Sequence, residues 1–191
     1  MLLPIIETER LFLRTYRTQD LETVYLLCTD PDVTHFFSAE FSVKREDVLA
    51  SLPRRTERWR TQGFGQLGVF EKNTGKLIGY CGMQYLEDTT DVEIYYGLFK
   101  EYWQRGLATE AAKAVLRFAF ESLKLPQIVA VTHPKNLSSH KVLQKLGMSR
   151  GDDAEFYSTA AAYFSLPRAD YKKDSSFYEL RFEEAAAANK S

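Results

Sequence analysis

Strands are predicted where apolar and polar residues alternate along the chain, or where a short run is almost wholly apolar. The alternation is clearest around Glu93, where Ile94 and Tyr96 fall on one face and Glu93 and Tyr95 on the other. The run at 127–132 is apolar almost throughout, which is typical of a central strand buried on both faces. The predicted strands cover 5–16, 64–71, 76–85, 91–99, 127–132, 154–158 and 161–166.

Helices are predicted where apolar residues recur every three or four positions. Hydroxyl groups at Thr18 and Ser42 would cap the first two helices, and Pro53 would break or restart the second. Gly63 would end the second helix, and Gly147 would end the last one in the left-handed conformation that glycine favours. The predicted helices cover 18–30, 42–63, 106–123 and 136–146.

The order of these elements predicts a single domain of mixed α/β (α+β) class. A strand and two helices precede a run of antiparallel strands, and strands then alternate with helices, so helices should cover both faces of one sheet. We expect a twisted, mostly antiparallel sheet of about seven strands. The domain is expected to span 1–182, and the alanine-rich segment 183–191 is expected to be a flexible tail.

Composition narrows the class of protein. The formal net charge of −1 over 191 residues gives no strong field that would recruit nucleic acid or an anionic membrane. No apolar run approaches a membrane span, and no His, Cys and Asp cluster has the spacing of metal ligands. Cys28 and Cys81 lie in apolar runs, so reduced, buried thiols are expected, with a reactive thiol as the alternative. We therefore expect a cytoplasmic protein without a metal.

The most informative segment is 102–111, which reads Tyr-Trp-Gln-Arg-Gly-Leu-Ala-Thr-Glu-Ala. It leads from a strand into a long helix through a glycine and small residues. The first turn of a helix has unpaired N–H groups and a positive dipole end, so small side chains there let a phosphate approach the backbone. An ordinary strand-to-helix turn is the alternative for this segment alone.

Several motifs in order resemble the GNAT superfamily of acetyltransferases, and within it the ribosomal-protein N-terminal acetyltransferases of the RimJ/RimL type. The resemblance covers 7–170. It is carried by Glu-Arg-Leu-Phe-Leu-Arg at 9–14, Val-Glu-Ile at 92–94, the segment 102–111, Phe-Ala-Phe at 118–120, Pro-Lys-Asn-Leu-Ser-Ser at 134–139 and Lys-Leu-Gly at 145–147.

The resemblance implies a GNAT fold whose sheet splays between the fourth and fifth predicted strands, with acetyl-CoA as the co-substrate. Its pantetheine arm would lie in that gap beside Tyr95, Tyr96 and Leu98. Asn136 would hydrogen-bond this arm, and Ser139 would lie near the arm or its sulfur. The pyrophosphate would bind to backbone amides of Arg105, Gly106, Leu107, Ala108 and Thr109.

The chemistry requires a neutral amine, so a base should help to remove its proton. Glu93 is our candidate for the base, and an exposed carboxylate or an ion-pair partner is the alternative. Ser139 is our candidate for the proton donor to the thiolate, against a plain hydroxyl on the helix surface. The backbone N–H of Tyr95 or Tyr96 would stabilise the oxyanion. Leu143 occupies the position where many relatives place a tyrosine acid, which excludes a tyrosine acid there.

Acceptor recognition is expected from the loop at 30–42. His35, Phe36 and Phe37 would form an apolar wall there, which Trp59 could join, although packing in the core is an alternative for these aromatic residues. Tyr157 and Tyr163 are further candidates for lining the acceptor site.

The sequence therefore predicts the transfer of an acetyl group from acetyl-CoA to a primary amine by direct attack in a ternary complex. The amine belongs either to a small molecule or to a peptide or protein N-terminus, with ribosomal proteins among the candidates. A catalytically silent module that binds or senses acetyl-CoA is the alternative. Monomer and homodimer both stay open.

Overall fold

The computed structural model describes residues 2–36 and 43–184. Within these ranges ten strands and five α-helices form one sheet with helices on its faces. The strands are β1 Leu2–Thr8, β2 Leu11–Arg14, β3 Gln66–Glu71, β4 Leu77–Tyr85, β5 Val92–Leu98, β6 Gln127–Thr132, β7 Ser149–Arg150, β8 Ala154–Phe156, β9 Thr159–Pro167 and β10 Tyr178–Glu184. The helices are α1 Leu21–Thr29, α2 Pro31–Thr34, α3 Arg45–Gln62, α4 Leu107–Arg117 and α5 Leu137–Lys145.

The sheet has the order β10-β1-β2-β3-β4-β5-β6-β9-β7, and β8 pairs with β9 off this path. Every pairing is antiparallel except the one between β5 and β6, which is parallel and has a single pair of partners, Glu93 and Val129. Beyond that pair the two strands diverge. The predicted fold class is confirmed, and a gap opens between the fourth and fifth predicted strands.

Strand prediction erred at the two ends of the chain. The predicted strand 5–16 is a hairpin of β1 and β2, because the chain turns at Glu9 and Arg10. Strand β10 was not predicted, although its residues alternate between apolar and polar. It pairs with β1 along the whole strand, so that Thr8 lies opposite Tyr178 and Leu2 lies opposite Glu184. The sheet therefore includes Glu183 and Glu184 from the predicted tail, whereas 185–191 lie outside the described residues.

The predicted caps of the first two helices were wrong or lie outside the described chain. Thr18 begins a short 3-10 turn whose N-cap is Arg17, and the Asp20 carboxylate accepts a hydrogen bond from the Arg17 N–H at 2.8 Å. Ser42 lies outside the described residues. Helix α3 continues through Pro53, because this proline is exposed and water can reach the carbonyl that loses its partner. Gly63 and Gly147 end their helices as predicted, with φ of 75° and 82°.

The two faces of the central strands bury different residues. One face, which we call the α4 face, packs Leu67, Met83 and Ile94 against Leu107 and Val115 of α4. The opposite face, which we call the α3 face, lies beneath α1 and α3, where a smaller cluster includes Leu21, Val24, Leu27, Val48, Phe70 and Leu77. In the part of the chain that the structure describes, no helix has the length and apolar character to cross a membrane.

Candidate functional site

The segment before α4 presents backbone N–H groups at the start of the helix. Gln104 and Gly106 both have positive φ, at 59° and 77°, and these values turn the chain from β5 into α4. The first backbone bond of the helix runs from the Glu110 N–H to the Gly106 carbonyl at 3.0 Å. The N–H groups of Leu107, Ala108 and Thr109 therefore precede the helical ladder and point outward from its first turn.

Ion pairs and hydrogen bonds hold this segment against the β1–β2 turn. The Glu110 carboxylate accepts hydrogen bonds from the Thr8 hydroxyl at 2.6 Å, the Arg10 N–H at 2.9 Å and the Arg10 Nε at 2.7 Å. Arg10 Nη1 donates to the Arg105 carbonyl at 2.9 Å, and Arg105 pairs with Glu71 at 2.7 Å. This network was not predicted, although Arg10 and Glu110 both lie in the motifs that carry the resemblance.

The residues of this segment fit a pyrophosphate. A Cβ added to Gly106 would meet only the Arg10 Nη2 atom, at 3.6 Å, so the backbone is open on that side. Free N–H groups and the positive end of α4 favour an anion, and two guanidinium groups lie beside them. The five residues predicted to bind pyrophosphate thus lie together at one helix end.

Beside the gap between β5 and β6, the start of α5 presents polar groups. Asn136 caps this helix, since its Oδ1 accepts from the Ser139 N–H at 3.1 Å and from the Ser138 hydroxyl at 2.8 Å. Capping occupies the side-chain oxygen and leaves the amide NH2 group of Asn136 as the donor for a ligand.

Ser139 makes a contact that the sequence did not indicate. Its Oγ lies 3.0 Å from the hydroxyl oxygen of Tyr96, which reaches across from β5. Burial raises the pKa of Tyr96, so this phenol stays protonated and can donate. Leu143 is 1% exposed and packs in the core. A tyrosine hydroxyl therefore reaches the gap from the strand, and none comes from position 143.

Glu93 is buried on the α3 face at the point where the gap opens. Glu93 is only 3% exposed. Its Oε1 accepts a hydrogen bond from Gln84 Nε2 at 2.6 Å. The Tyr157 hydroxyl donates to the same oxygen. None of the described residues donates to Oε2, so the carboxylate is held by one oxygen and keeps the other for a ligand.

The surroundings of Glu93 raise its pKa above that of an ordinary carboxyl. Burial is the main cause, and the hydrogen bonds from Tyr157 and Gln84 oppose part of the rise. Glu93 makes no ion pair within the described chain, which removes the ion-pair alternative for this part of the molecule. Burial and the neighbouring Glu93 raise the pKa of Tyr157 as well, so its hydroxyl remains a donor.

A strained turn between β8 and β9 positions Tyr157. Both residues of this two-residue turn, Tyr157 and Ser158, have positive φ, at 53° and 57°. Such values suit a tight hairpin turn, but a tyrosine there is uncommon. The Tyr157 N–H donates to the Glu87 carboxylate, which helps to hold the turn over Glu93. The role of Gln84 was not predicted, because only the register between β4 and β5 places it opposite Glu93.

The predicted aromatic wall is partly assembled. Phe36 stacks on His133 at the end of β6, with ring centroids 5.3 Å apart, and His35 packs edge-on against Phe36 at 4.6 Å. Phe37 lies outside the described residues. Trp59 does not join the wall, because it is 7% exposed and packs against Phe118 in the core.

Tyr163, the two cysteines and a possible metal site were also considered from the sequence. Tyr163 stacks on Phe156 at 6.1 Å and does not contact the Glu93 carboxylate. Cys81 is buried and Cys28 is half-buried, both are free, and burial raises the pKa of each thiol. Among the described residues, no group of three or more His, Cys, Asp or Glu side chains could hold a metal ion.

The chain is similar to known proteins in sequence. Residues 10–149 match the model of the Acetyltransferase (GNAT) domain. The chain is 31% identical over 173 residues to the YkkB protein of Bacillus subtilis (strain 168), covering 88% of this chain and 94% of that protein.

Two solved structures share the fold. One is the ribosomal-protein-S5-alanine acetyltransferase of Vibrio fischeri, with a TM-score of 0.73 and 22% identity over 88% of this chain and 99% of that one. The other is the spermidine N-acetyltransferase of Vibrio cholerae in complex with CoA and spermine, with a TM-score of 0.71 and 15% identity over 85% and 98% of the two chains.

Proposed function

Because the chain belongs to the GNAT acetyltransferase family and is an acetyl-CoA-dependent N-acetyltransferase, we propose that it acetylates a primary amine by direct attack, with Glu93 as the base. The observation that carries the proposal is the burial and the hydrogen bonding of the Glu93 carboxylate. This carboxylate is buried beside the gap in the sheet, held through one oxygen and free of described donors at the other.

The residues around the gap would hold the co-substrate in three places. The N–H groups at the start of α4 bind the pyrophosphate, and the Arg10–Glu110 network keeps them in place. The edge of β5 from Tyr95 to Leu98 faces the gap, where an extended arm can pair with it. The Asn136 amide donates to the same arm from the start of α5.

Acetyl-CoA supplies the thioester whose carbonyl carbon the amine attacks. Glu93 Oε2 accepts the proton that the amine nitrogen loses as the new C–N bond forms. A backbone N–H of Tyr95 or Tyr96 stabilises the oxyanion, because N–H groups alternate between the two edges of a strand and one of the pair faces the gap. As the C–S bond breaks, the Ser139 hydroxyl gives a proton to the sulfur. Ser139 regains a proton from the Tyr96 hydroxyl, which takes its own replacement from solvent.

The raised pKa of Glu93 favours its role as a base. An ordinary carboxylate is a weak proton acceptor near neutral pH, and a base works best when its pKa is close to the working pH. Burial on the α3 face moves the carboxyl in that direction. The hydrogen bonds from Gln84 and Tyr157 fix its orientation while they limit the rise.

The acceptor belongs to the class of primary amines, either a small molecule or the N-terminus of a peptide or protein. The ribosomal-protein and spermidine enzymes that share the fold represent both kinds of acceptor. Detection of the free CoA thiol with a panel of amines and peptides tests the proposal. We expect thiol release that depends on an amine, and release at background rate with every amine would favour a silent module.

A second experiment tests the pyrophosphate site. Gly106→Glu adds a carboxylate where the pyrophosphate would bind, so we expect the Kd for acetyl-CoA to rise by about 100-fold or more. Gly147→Glu is the matched control, because Gly147 also has positive φ and nothing within 4 Å of an added Cβ. Equal affinities of the two variants, measured by calorimetry, would contradict the assignment.

A further inference from the structure

Five polar side chains lie on the α3 face, which also carries Glu93, and three of the five line a narrow cleft. Tyr80 and Tyr95 extend from neighbouring strands with ring centroids 6.1 Å apart, and the Arg55 guanidinium lies 5.7 Å from the centre of the Tyr16 ring. Gln66 completes the group from β3. Tyr16, Arg55 and Gln66 line the cleft together with Thr15, Leu52 and Thr56.

The arrangement keeps these side chains close to the reaction centre. Tyr95 lies two residues from Glu93 on the same face of β5, and it is paired with Gly82 on β4. Burial raises the pKa of Tyr16, Tyr80 and Tyr95, and the positive charge of Arg55 opposes part of the rise at each. The positive charge of one guanidinium therefore acts on all three phenols.

Most of these groups lack a hydrogen-bond partner within the described residues. Gln66 Oε1 is sealed from solvent and accepts no hydrogen bond. Within the described residues Arg55 donates from its Nε to the Ser51 hydroxyl at 3.1 Å and also interacts with the half-buried Cys28 thiol. No described carboxylate pairs with it. Buried polar groups are normally paired, so a cluster of this kind is typical of a recognition site.

The charges around the cleft select the sign of the ligand. Arg58 lies one turn further along α3 and, like Arg55, lowers the pKa of Tyr95. The nearby carboxylates of Glu57 and Glu22 already pair with Arg60 and Arg45. An acceptor with a second ammonium group would place it beside two guanidinium groups, which is unfavourable.

We propose that the amine acceptor carries an anionic group, a carboxylate in the first instance, that Arg55 binds in the cleft while the amine reaches Glu93. The phenols donate hydrogen bonds to the same anion, and an Arg fork matches the two oxygens of a carboxylate. This inference rests on the proposed function, since it assigns the acceptor to the same site. It predicts discrimination against polyamines.

Matched pairs of amines test the proposal. The probes are a series of ω-amino acids of increasing chain length, each compared with its uncharged carboxamide, and calorimetry measures their binding to the CoA-saturated protein. For the best chain length we expect the carboxylate to bind about tenfold or more tightly than the carboxamide. Arg55→Gln should remove this difference, and Arg55→Lys should keep part of it. Arg54→Gln, an exposed neighbour on α3, should keep all of it.

The outcomes separate this inference from the proposed function. No preference for the carboxylate in the unaltered chain, or an equal preference in Arg55→Gln, would overturn the anion site. Thiol release measured with the same probes tests acetyl transfer independently. Tight binding of the carboxylate without thiol release from any amine would support the anion site and overturn the transfer. Circular dichroism and thermal unfolding show whether Arg55→Gln keeps its fold.

Discussion

The two faces of the central strands are built from the same segments, yet they differ in chemistry. On the α4 face the alternate positions are apolar and fully buried, namely Leu67, Val69, Cys81, Met83 and Ile94. On the α3 face the intervening positions are polar side chains and glycines, namely Gln66, Gly68, Tyr80, Gly82, Gln84, Glu93, Tyr95 and Gly97. The α4 face supplies most of the apolar core, and the α3 face carries Glu93 and its hydrogen-bond partners.

The α3 face retains buried polar groups that are unfavourable for folding. Burying a carboxylate such as Glu93 without a positive partner is unfavourable, and so is sealing Gln66 Oε1 from water. The aliphatic packing on the α4 face offsets such terms. The polar groups that the fold leaves without partners therefore lie on the α3 face, which carries Glu93.

The largest expected effect is on the α4 face. Ile94→Ala removes buried methyl groups from a residue that is 2% exposed, and it should lower the free energy of unfolding by about 2–5 kcal/mol. The Kd for acetyl-CoA and the kcat of the folded fraction should change little. Urea unfolding and steady-state kinetics check both parts, and a loss below about 0.5 kcal/mol would contradict the role of this face.

Two glycines sharpen the comparison because an alanine meets different neighbours at each. At Gly79 the new Cβ would lie 2.3 Å from the Gly97 carbonyl oxygen, which is backbone, so Gly79→Ala should destabilise by about 1–3 kcal/mol. At Gly97 the Cβ would lie 2.6 Å from the end of the Tyr80 ring, which can move. Gly97→Ala should therefore change the KM for the acceptor more than stability; thermal unfolding and kinetics with one acceptor compare the two variants.

Replacement of Glu93 has an effect on stability whose size depends on pH. Because burial raises the folded-state pKa of Glu93, the ionised carboxylate disfavours the fold above the carboxyl pKa of the unfolded chain. This contribution disappears as pH falls below that ordinary value. Glu93→Gln should be more stable than the unaltered chain at pH 7, and the difference should shrink in acid. Urea unfolding at a series of pH values measures it, and a difference that grows in acid would have the wrong sign.

The smallest expected effect concerns Tyr157. Its hydroxyl donates to Glu93 and thereby lowers the pKa of that carboxyl. Tyr157→Phe should therefore shift the acidic limb of the kcat/KM profile to higher pH and lower the rate at neutral pH about three- to tenfold. An unchanged limb would mean that the hydroxyl does not act on the base. Ser158→Ala, in the same turn, is the control for a purely structural change.

Much of the fold could be predicted because its strands and helices carry strong periodic patterns. The alternation around Glu93 predicted that Glu93 and Ile94 lie on opposite faces of one strand. The apolar run of β6 indicated a central strand. The patterns failed where structure depends on long-range pairing. Strand β10 forms only because β1 offers its edge, and the break between β1 and β2 depends on Arg10 and its bonds to Glu110.

The site was harder to predict than the fold. The segment before α4 could be predicted as a helix start with small residues and unpaired N–H groups, because these features follow from the local sequence. The contact of Tyr96 with Ser139, and that of Tyr157 with Glu93, join residues 43 and 64 positions apart, and local patterns hold no information about such contacts. The cleft beside Arg55 was not predicted for the same reason, since its lining comes from α3, from the start of β3 and from the segment after β2.

Turnover by Glu93→Gln tests the central claim most directly. Thiol release at saturating acetyl-CoA, with one amine that the unaltered chain accepts, compares kcat for the two proteins, and calorimetry compares their Kd for acetyl-CoA. If Glu93 takes the proton, kcat should fall about 100-fold or more while Kd stays the same. Equal kcat values would remove Glu93 from the reaction and contradict the account of the α3 face as the catalytic side of the sheet.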